Sequence, residues 1–391
     1  MPDGWLRGTF GDCVALDLEQ ASVDEGREYP VVGVLGFGRG LLSRSPVTSV
    51  TTRYKALNRV RPNQLVYSKL KAFEGAITVV PSDQPESYAS QEFPTFTLYD
   101  SMLPDYLRLV TQQPSLWEAL ARDSKGIGGR RERLNPNDLL NVPLAIPPLG
   151  EQRRIVDLVG VLDDTIAATR LAGDRLQWVL EVQRDELLWA TEERIPLGQV
   201  CSVDGRLTAP IGLMALLPHV GAERIVSGTG ELAGVVSAEE DGVISGKYPF
   251  DERHVVYSKI RPGLRKVAVP DFRGLCSADA YPLLPAVAVP RRYLQQLLLS
   301  IPFTEAAVSR SGRTKMPKIN RNELLSIAVP RHDEAFMARS SQLFDSLWES
   351  AHRYRVSEAM LQQLRRHMLS ALLSGVYEIA ESYDNLIGVA P

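Results

Sequence analysis

The chain has 391 residues, 44% of them hydrophobic and 23% charged, ordinary globular proportions that exclude a disordered tract or a fibre. It is too long for one core, so two or three units of roughly 100 to 200 residues are expected. A formal net charge of -3 excludes a uniformly basic chain, yet leaves room for Lys and Arg gathered on one face.

Taken in chain order, the opening MPDGWLRGTFGDC lacks the basic and apolar regions of a secretory signal, and no run is long and apolar enough for a membrane span. A cytoplasmic protein with no membrane partner is expected. Cys13, Cys201 and Cys276 lie far apart with no C-x-x-C pair, which argues for reduced, packed thiols and against a disulfide framework or a sulfur-rich zinc site. GVLGFGRG at Gly33 to Gly40 satisfies neither G-x-G-x-x-G nor G-K-[ST], and reads as a turn. LVYSKLK at Leu65 to Lys71 reads as a strand ending in Ser-Lys. Tyr67, Ser68, Lys69 and Lys71 could meet at the edge of a groove; the alternative is a tyrosine packed in a half-buried strand beside a surface lysine. Gly128, Gly129, Arg130, Arg131 and Arg133 follow, a loop composition able to approach phosphates, or else a solvated charged face.

IPPLGEQRRIVDLVGVLDDTI at Ile146 to Ile166 marks an abrupt helix start. Pro147 and Pro148 hold the entering chain extended, and Glu151 supplies negative charge at the positive end of the helix dipole. Alternate steps of four and three from Ile155 through Val159, Leu162, Ile166, Thr169, Gly173, Leu176, Leu180 and Gln183 to Leu187 trace a narrow, mostly apolar stripe. Some ~35 residues of helix, about 50 Å, outrun the diameter of a ~140-residue domain. Pairing along a seam is therefore expected, the alternative being a helix that covers its own domain's core.

The chain then repeats itself. YPVVGV at Tyr29 to Val34 returns as LPHVGA at Leu217 to Ala222, and LVYSKLK returns as VVYSKIR at Val255 to Arg261. GGRRERLNPNDLLNVPLAIP at Gly128 to Pro147 returns as SGRTKMPKINRNELLSIAVP at Ser311 to Pro330, followed by a second helical stretch. One unit of about 185 residues explains the matches. The repeat supplies Tyr257, Ser258, Lys259 and Arg261, and before the second helix Arg310, Arg313, Lys315, Lys318 and Arg321. In that helix the same walk passes Phe336, Ser340, Leu343, Leu347, Ser350, Tyr354, Ser357, Leu361, Leu364 and Met368.

Catalytic signatures are missing. His219, His254, His332, His352 and His367 form no H-E-x-x-H and have no cysteine at ligand spacing, so no metal is expected. There is no G-x-S-x-G elbow and no Asn or Asp followed by Pro-Pro and an aromatic, the signature of amino-group methyltransferases. GTGELAG at Gly228 to Gly234 reads as another turn. No catalytic residue is assigned.

The order of basic glycine loop, LNPNDLLNVPLAIPPLGEQRRIV and long helix, written twice with a mixed domain before each copy, resembles the DNA-specificity subunits of type I restriction-modification systems. RYKALNRVRPNQLVYSKLKAFEGA and HVVYSKIRPGLRKVAVPDFRGLCSADAYPLLP resemble their two target recognition domains, while PRHDEAFMARS keeps only Pro330 and Glu334 of the P-P-L-x-E-Q-R-R-I element. The resemblance implies an α+β fold with an internal pseudo-two-fold repeat: target recognition domains over residues 1–147 and 193–330, antiparallel coiled-coil spacer helices over 148–192 and 331–378, and a tail over 379–391. It implies a non-catalytic subunit that reads a bipartite, asymmetric site in double-stranded DNA. Two adenine methyltransferase subunits and restriction or translocase subunits would be its partners, and S-adenosylmethionine, ATP and magnesium would sit on those partners only. The rival readings are a coiled-coil adaptor without DNA binding, and a self-contained nuclease or methyltransferase.

Overall fold

A computed structural model describes residues 4–123, 133–312 and 315–387. Its chain divides into two compact units, Met1–Ala167 with Ala359–Pro391, and Ala168–Glu358.

The first unit carries strands β1 (Leu6–Thr9), β2 (Val14–Leu16), β3 (Gln20–Ser22), β4 (Tyr29–Val34), β5 (Leu41–Val47), β6 (Ala56–Val60), β7 (Leu65–Tyr67), β8 (Ile77–Val79), β9 (Ser87–Ala89) and β10 (Thr95–Leu98). Short helices α1 (Pro104–Thr111), α2 (Pro114–Asp123) and α3 (Pro136–Leu140) lead to strand β11 (Pro143–Ile146) and the start of α4 (Leu149–Trp189). An antiparallel sheet in the order β2-β10-β7-β8 packs on α1 and α2. A second sheet, β3-β6-β9-β4-β5, holds one parallel pair, β4 with β9. β1 pairs with β11, Leu6 opposite Ile146, which ties the chain entry to the foot of α4.

The second unit rewrites this plan. Its strands are β12 (Arg194–Pro196), β13 (Cys201–Val203), β14 (Pro218–Val220), β15 (Val236–Ser237), β16 (Tyr248–Phe250), β17 (Val255–Ser258), β18 (Val267–Ala268), β19 (Gly274–Cys276) and β20 (Ala280–Pro285). Helices α5 (Arg291–Leu299), α6 (Ile301–Ser309) and α7 (Arg321–Leu325) then lead to β21 (Ala328–Pro330) and α8 (Glu334–Leu373). The order β13-β20-β17-β18 matches the first sheet strand for strand, and β12-β21 matches β1-β11. In β15-β14-β19-β16 the parallel pair recurs as β14 with β19. The counterpart of β3 has shrunk to one bridge, Thr208 with Lys247, whose two N–H···O bonds measure 2.8 and 2.9 Å. The sequence repeat is thus a repeat of topology, and the fold is a mixed α/β one in which two domains are linked by long helices.

The long helices run 41 and 40 residues. Within the second unit, Arg170 meets Glu358 and Leu180 shares a core with Phe344. Rising numbers on α4 thus meet falling numbers on α8, an antiparallel seam. At Gly173 a Cβ would come 3.1 Å from that of Tyr354, so the missing side chain lets the helices close up. Within the first unit, Asp163 pairs with Arg365, while Ile155 and Val159 share a core with Leu369 and Leu372.

The stripe read on α4 is the buried one: Ile155, Val159, Ile166, Gly173 and Leu180 are buried and its other members are partly covered. On α8 the walk needs correction. Its members Leu343, Tyr354 and Leu364 are exposed; its Ser340 is buried, and so are Ser341, Phe344, Ala351, Leu369 and Leu372, which it missed. Polar seam residues, Arg365 on Asp163 among them, break the apolar period that the walk followed.

The foot of α4 is fixed by a residue the charge argument overlooked. Gln152 is fully buried; its Nε2 donates to Ser101 O and Pro147 O, each at 2.9 Å, and its Oε1 accepts from Leu103 N at 2.8 Å. Glu151 does lie in the first turn, where it also pairs with Arg154 at 3.2 Å. The second copy has no glutamine there. Instead the Asp333 carboxylate accepts from Phe336 N at 2.6 Å, an N-terminal cap. Gln152→Ala would remove the partner of three backbone groups, the Pro147 carbonyl among them buried, and urea denaturation should show a loss of about 1 to 3 kcal/mol.

Candidate nucleic-acid interface

Two separate sequence signals, the VYSK strand end and the basic stretch before the helix, meet at one point in each unit. In the first, Lys69 N donates to Glu92 O at 2.9 Å, Lys69 O accepts from Leu134 N at 2.9 Å, and the Arg133 guanidinium reaches the Glu92 carboxylate at 3.0 Å. In the second, Lys259 N donates to Asp279 O at 3.0 Å, Lys259 O accepts from Ile319 N at 3.0 Å, and Lys318 Nζ reaches Asp279 Oδ1 at 2.9 Å. Each unit therefore sets a lysine, by the same backbone bonds, beside an acidic residue whose carboxylate a second cation engages. Chain segments some sixty residues apart are pinned by a bridge of the kind that binds strands.

The surroundings differ in detail. Lys259 Nζ lies 5.0 Å from the centre of the Tyr281 ring. Burial draws the Lys259 ammonium below the ordinary lysine value, with Asp279 opposing the shift. Lys71 is exposed and pairs with Glu74 at 3.1 Å. Its counterpart Arg261 is exposed with φ +46°, a left-handed conformation stabilised by Arg261 N donating to Pro317 O at 2.8 Å. Lys315, Arg310 and Arg321 are exposed. Arg130, Arg131 and Arg313, together with Gly128 and Gly129, lie outside the described residues.

Four of the expected contact residues are interior and cannot offer their side chains to a ligand. Tyr67 and Tyr257 are buried core residues, as are Ser68 and Ser258. Tyr67 stacks on Phe96 and donates its hydroxyl to Leu134 O at 3.1 Å, beside the Lys69 bridge. Tyr257 meets Phe303 edge-on, and the Ser258 hydroxyl donates to Ile260 O at 3.3 Å. The physical reason is that β7 and β17 are central strands covered on both faces, so only the residues past their ends reach solvent. The tyrosines act as posts beneath the cations. Tyr67→Phe would leave Leu134 O without its partner, and chemical denaturation should register a loss of about 1 kcal/mol.

Other features were not legible. A concave patch of about 420 Å³ on the five-stranded sheet is lined by Arg44, Ser45, Thr52, Tyr54 and Phe93, among others; no period or motif singles these residues out. The GFGRG segment is the turn expected of it, closed by Leu35 N donating to Gly40 O at 2.9 Å. It also lifts Phe37 into solvent at φ +60° with the Arg39 guanidinium 6.0 Å from its ring centre. GTGELAG does more than turn. The Trp348 indole donates to Thr229 O at 2.9 Å, and His352 and Arg355 both engage Glu231, which fastens the loop to α8.

Among the described residues, His219, Glu223 and Asp241 bring ligand atoms within 4.8 Å of one another. Asp241 already bonds His219 Nδ1 and the Arg224 guanidinium, each at 2.6 Å, so an internal cation holds this group together. Cys13, Cys201 and Cys276 are free and buried, and burial pushes the Cys13 thiol up to about 11. No described helix is long and apolar enough to cross a membrane.

No family model matches the chain. Over 263 residues it is 26% identical to the type I restriction enzyme EcoDI specificity subunit of Escherichia coli, a match covering 56% of this chain and 59% of that protein. The chain thus matches somewhat under two thirds of this relative's length. Among solved structures, the S subunit of a type I restriction-modification system from M. genitalium aligns with TM-score 0.56 at 14% identity, covering 94% of this chain and 96% of that one. A chain from work on complex assembly and conformational transition of the type I R-M system aligns with TM-score 0.57 at 17% identity, covering 95% and 98%. In sequence the chain is thus similar to a type I restriction enzyme specificity subunit, and it shares its fold with solved chains of type I restriction-modification systems.

Proposed function

We propose that the chain is the DNA sequence-specificity subunit of a type I restriction-modification complex. The observation that carries this reading is the duplicated cation cluster: Lys69 with Arg133, and Lys259 with Lys318, stand at equivalent points of two units built on one frame. Two equivalent basic points on a repeated scaffold suit a split duplex site, because phosphate contacts position each unit while neighbouring groups read bases. The second sheets differ in strand number and loop length, which suits two unlike half-sites. The similarity to the EcoDI specificity subunit supports the same assignment.

In this reading the chain has no catalytic centre. It binds no S-adenosylmethionine, ATP or magnesium of its own, works in the cytoplasm, and positions two adenine methyltransferase subunits with restriction or translocase subunits on its DNA site. The long helices act as a spacer whose length sets the gap between half-sites.

Filter binding across a salt series tests the DNA contact. Affinity for duplex DNA should fall steeply with salt, and Lys69→Ala, Lys259→Ala and Lys315→Ala should each weaken binding to all sequences and flatten the slope by about one. Weak, salt-independent binding would point to a protein adaptor instead. Modification or cleavage of DNA by the pure chain with magnesium and S-adenosylmethionine would point to a self-contained enzyme.

The spacer is tested by co-expression with a cognate methyltransferase subunit and mapping of methylated adenines. Lengthening both helices by four residues, about 6 Å, should widen the gap by about two base pairs and leave both half-sites unchanged. Methylation at the original spacing would refute the spacer.

A further inference from the structure

The two units differ at one interior point in a way the repeat makes easy to see. In the second unit the Trp189 ring, at the end of α4, packs against the core, and its indole N–H donates to the Ser300 hydroxyl at the α5–α6 corner, 3.0 Å away. Asp185, one helical turn earlier, accepts from Ile301 N at 3.1 Å. Tyr293 beneath them is fully buried and satisfied, its hydroxyl 2.7 Å from His332 Nδ1.

The first unit has the same parts without the plug. Leu187-Leu188-Trp189 corresponds to Leu372-Leu373-Ser374 at the end of α8, Asp185 to Ser370, and Tyr293 to Tyr106 on α1. Where the ring would lie there is a cavity of about 660 Å³, lined by Tyr106, Leu116, Ala119, Leu144, Ser370 and Ser374 among others. Tyr106 is fully buried, and among the described residues its hydroxyl has no hydrogen-bond partner. No histidine precedes α4 to satisfy it. A largely apolar space of this size with a few hydroxyls is the usual form of a small-molecule site.

We infer that this cavity binds a small, neutral, planar heteroaromatic of the indole class, whose ring takes the place that Trp189 fills in the other copy and whose N–H is accepted by a lining hydroxyl. Internal symmetry specifies the ligand's shape and donor, and the lining serines Ser370 and Ser374 supply the hydroxyls that can accept it. None of its lining residues belongs to a cation cluster, so the inference stands apart from the proposed DNA contact.

The test is fluorine NMR of 5-fluoroindole titrated with the full chain. One site is expected, with Kd between about 10 μM and 1 mM for so small a ligand. Ser374→Trp should fill the space from within, abolish the line broadening and raise Tm by about 2 to 4 °C. Trp189→Ala should open the corresponding space in the other unit and raise the stoichiometry from one to two. Absence of broadening by the wild-type chain at millimolar 5-fluoroindole would overturn the inference whatever the variants do. Broadening unchanged in folded Ser374→Trp, or a single site in folded Trp189→Ala, would overturn it as well.

Discussion

Closure of each core by both long helices is the constraint on which the rest of the molecule depends. The first unit's interior includes Ile155 and Val159 from α4 and Leu369 and Leu372 from α8; the second includes Leu180 and Leu188 from α4 and Met337 and Phe344 from α8. Each such side chain, once covered, contributes roughly 1.5 to 3 kcal/mol, so a unit without its α8 contribution lacks a substantial share of its stability. Neither unit can therefore be read as a globular domain followed by a rod. The first unit in particular is completed by residues more than two hundred positions beyond its own sheets, and its core cannot finish forming until α8 exists.

The bonds at the helix feet serve the same end. Gln152 ties Pro147 of the entering chain to Ser101 and Leu103 ahead of α1, and Arg154 reaches Asp384 through two bonds of 2.8 and 2.9 Å while also touching Glu151. A bidentate pair sheltered from solvent fixes direction as well as contact. The E-Q-R-R run thus reads, in structural terms, as a bracket that orients α4 relative to the sheet of its own unit. The second copy does the same job with an Asp333 cap and a different surrounding, which explains how it can depart from the motif and still begin a helix at the matching place.

Much of this was legible in the sequence because the repeat is strong and the α4 stripe is apolar. The α8 stripe was legible only in part, since its seam carries Ser341 and ion-paired Arg365, residues that the walk steps around, while Leu343 and Leu364, which it passes, lie exposed. The tyrosines of the VYSK repeats misled for a related reason. An aromatic beside a lysine looks the same whether it faces a ligand or props up a strand, and only the strand's place in the sheet decides. β7 and β17 are interior strands, so Tyr67 and Tyr257 turn inward and the lysines alone emerge. The convergence of Lys69 with Arg133 across a long stretch of chain could not be foreseen either, because it depends on Glu92, a residue with no mark of its own.

What the copies share and where they part then divides the labour between them. The sheets β2-β10-β7-β8 and β13-β20-β17-β18, the bridged cations and the buried tyrosines recur in both units, and in the proposed reading groups so alike cannot by themselves distinguish two unlike half-sites. Discrimination has to come from surfaces that diverge. Those are the second sheets and their loops: the exposed Phe37 and the Arg44–Tyr54 patch on the first unit, and on the second a sheet with its edge strand reduced to a single bridge and a GTGELAG loop fastened to α8 through Trp348, His352 and Arg355. Fastening matters because a loop that must be ordered on binding gives up affinity to entropy. A frame that is kept and a face that is free to vary, joined through the same short strands, allow the varying face to change without disturbing the seam on which both cores rely.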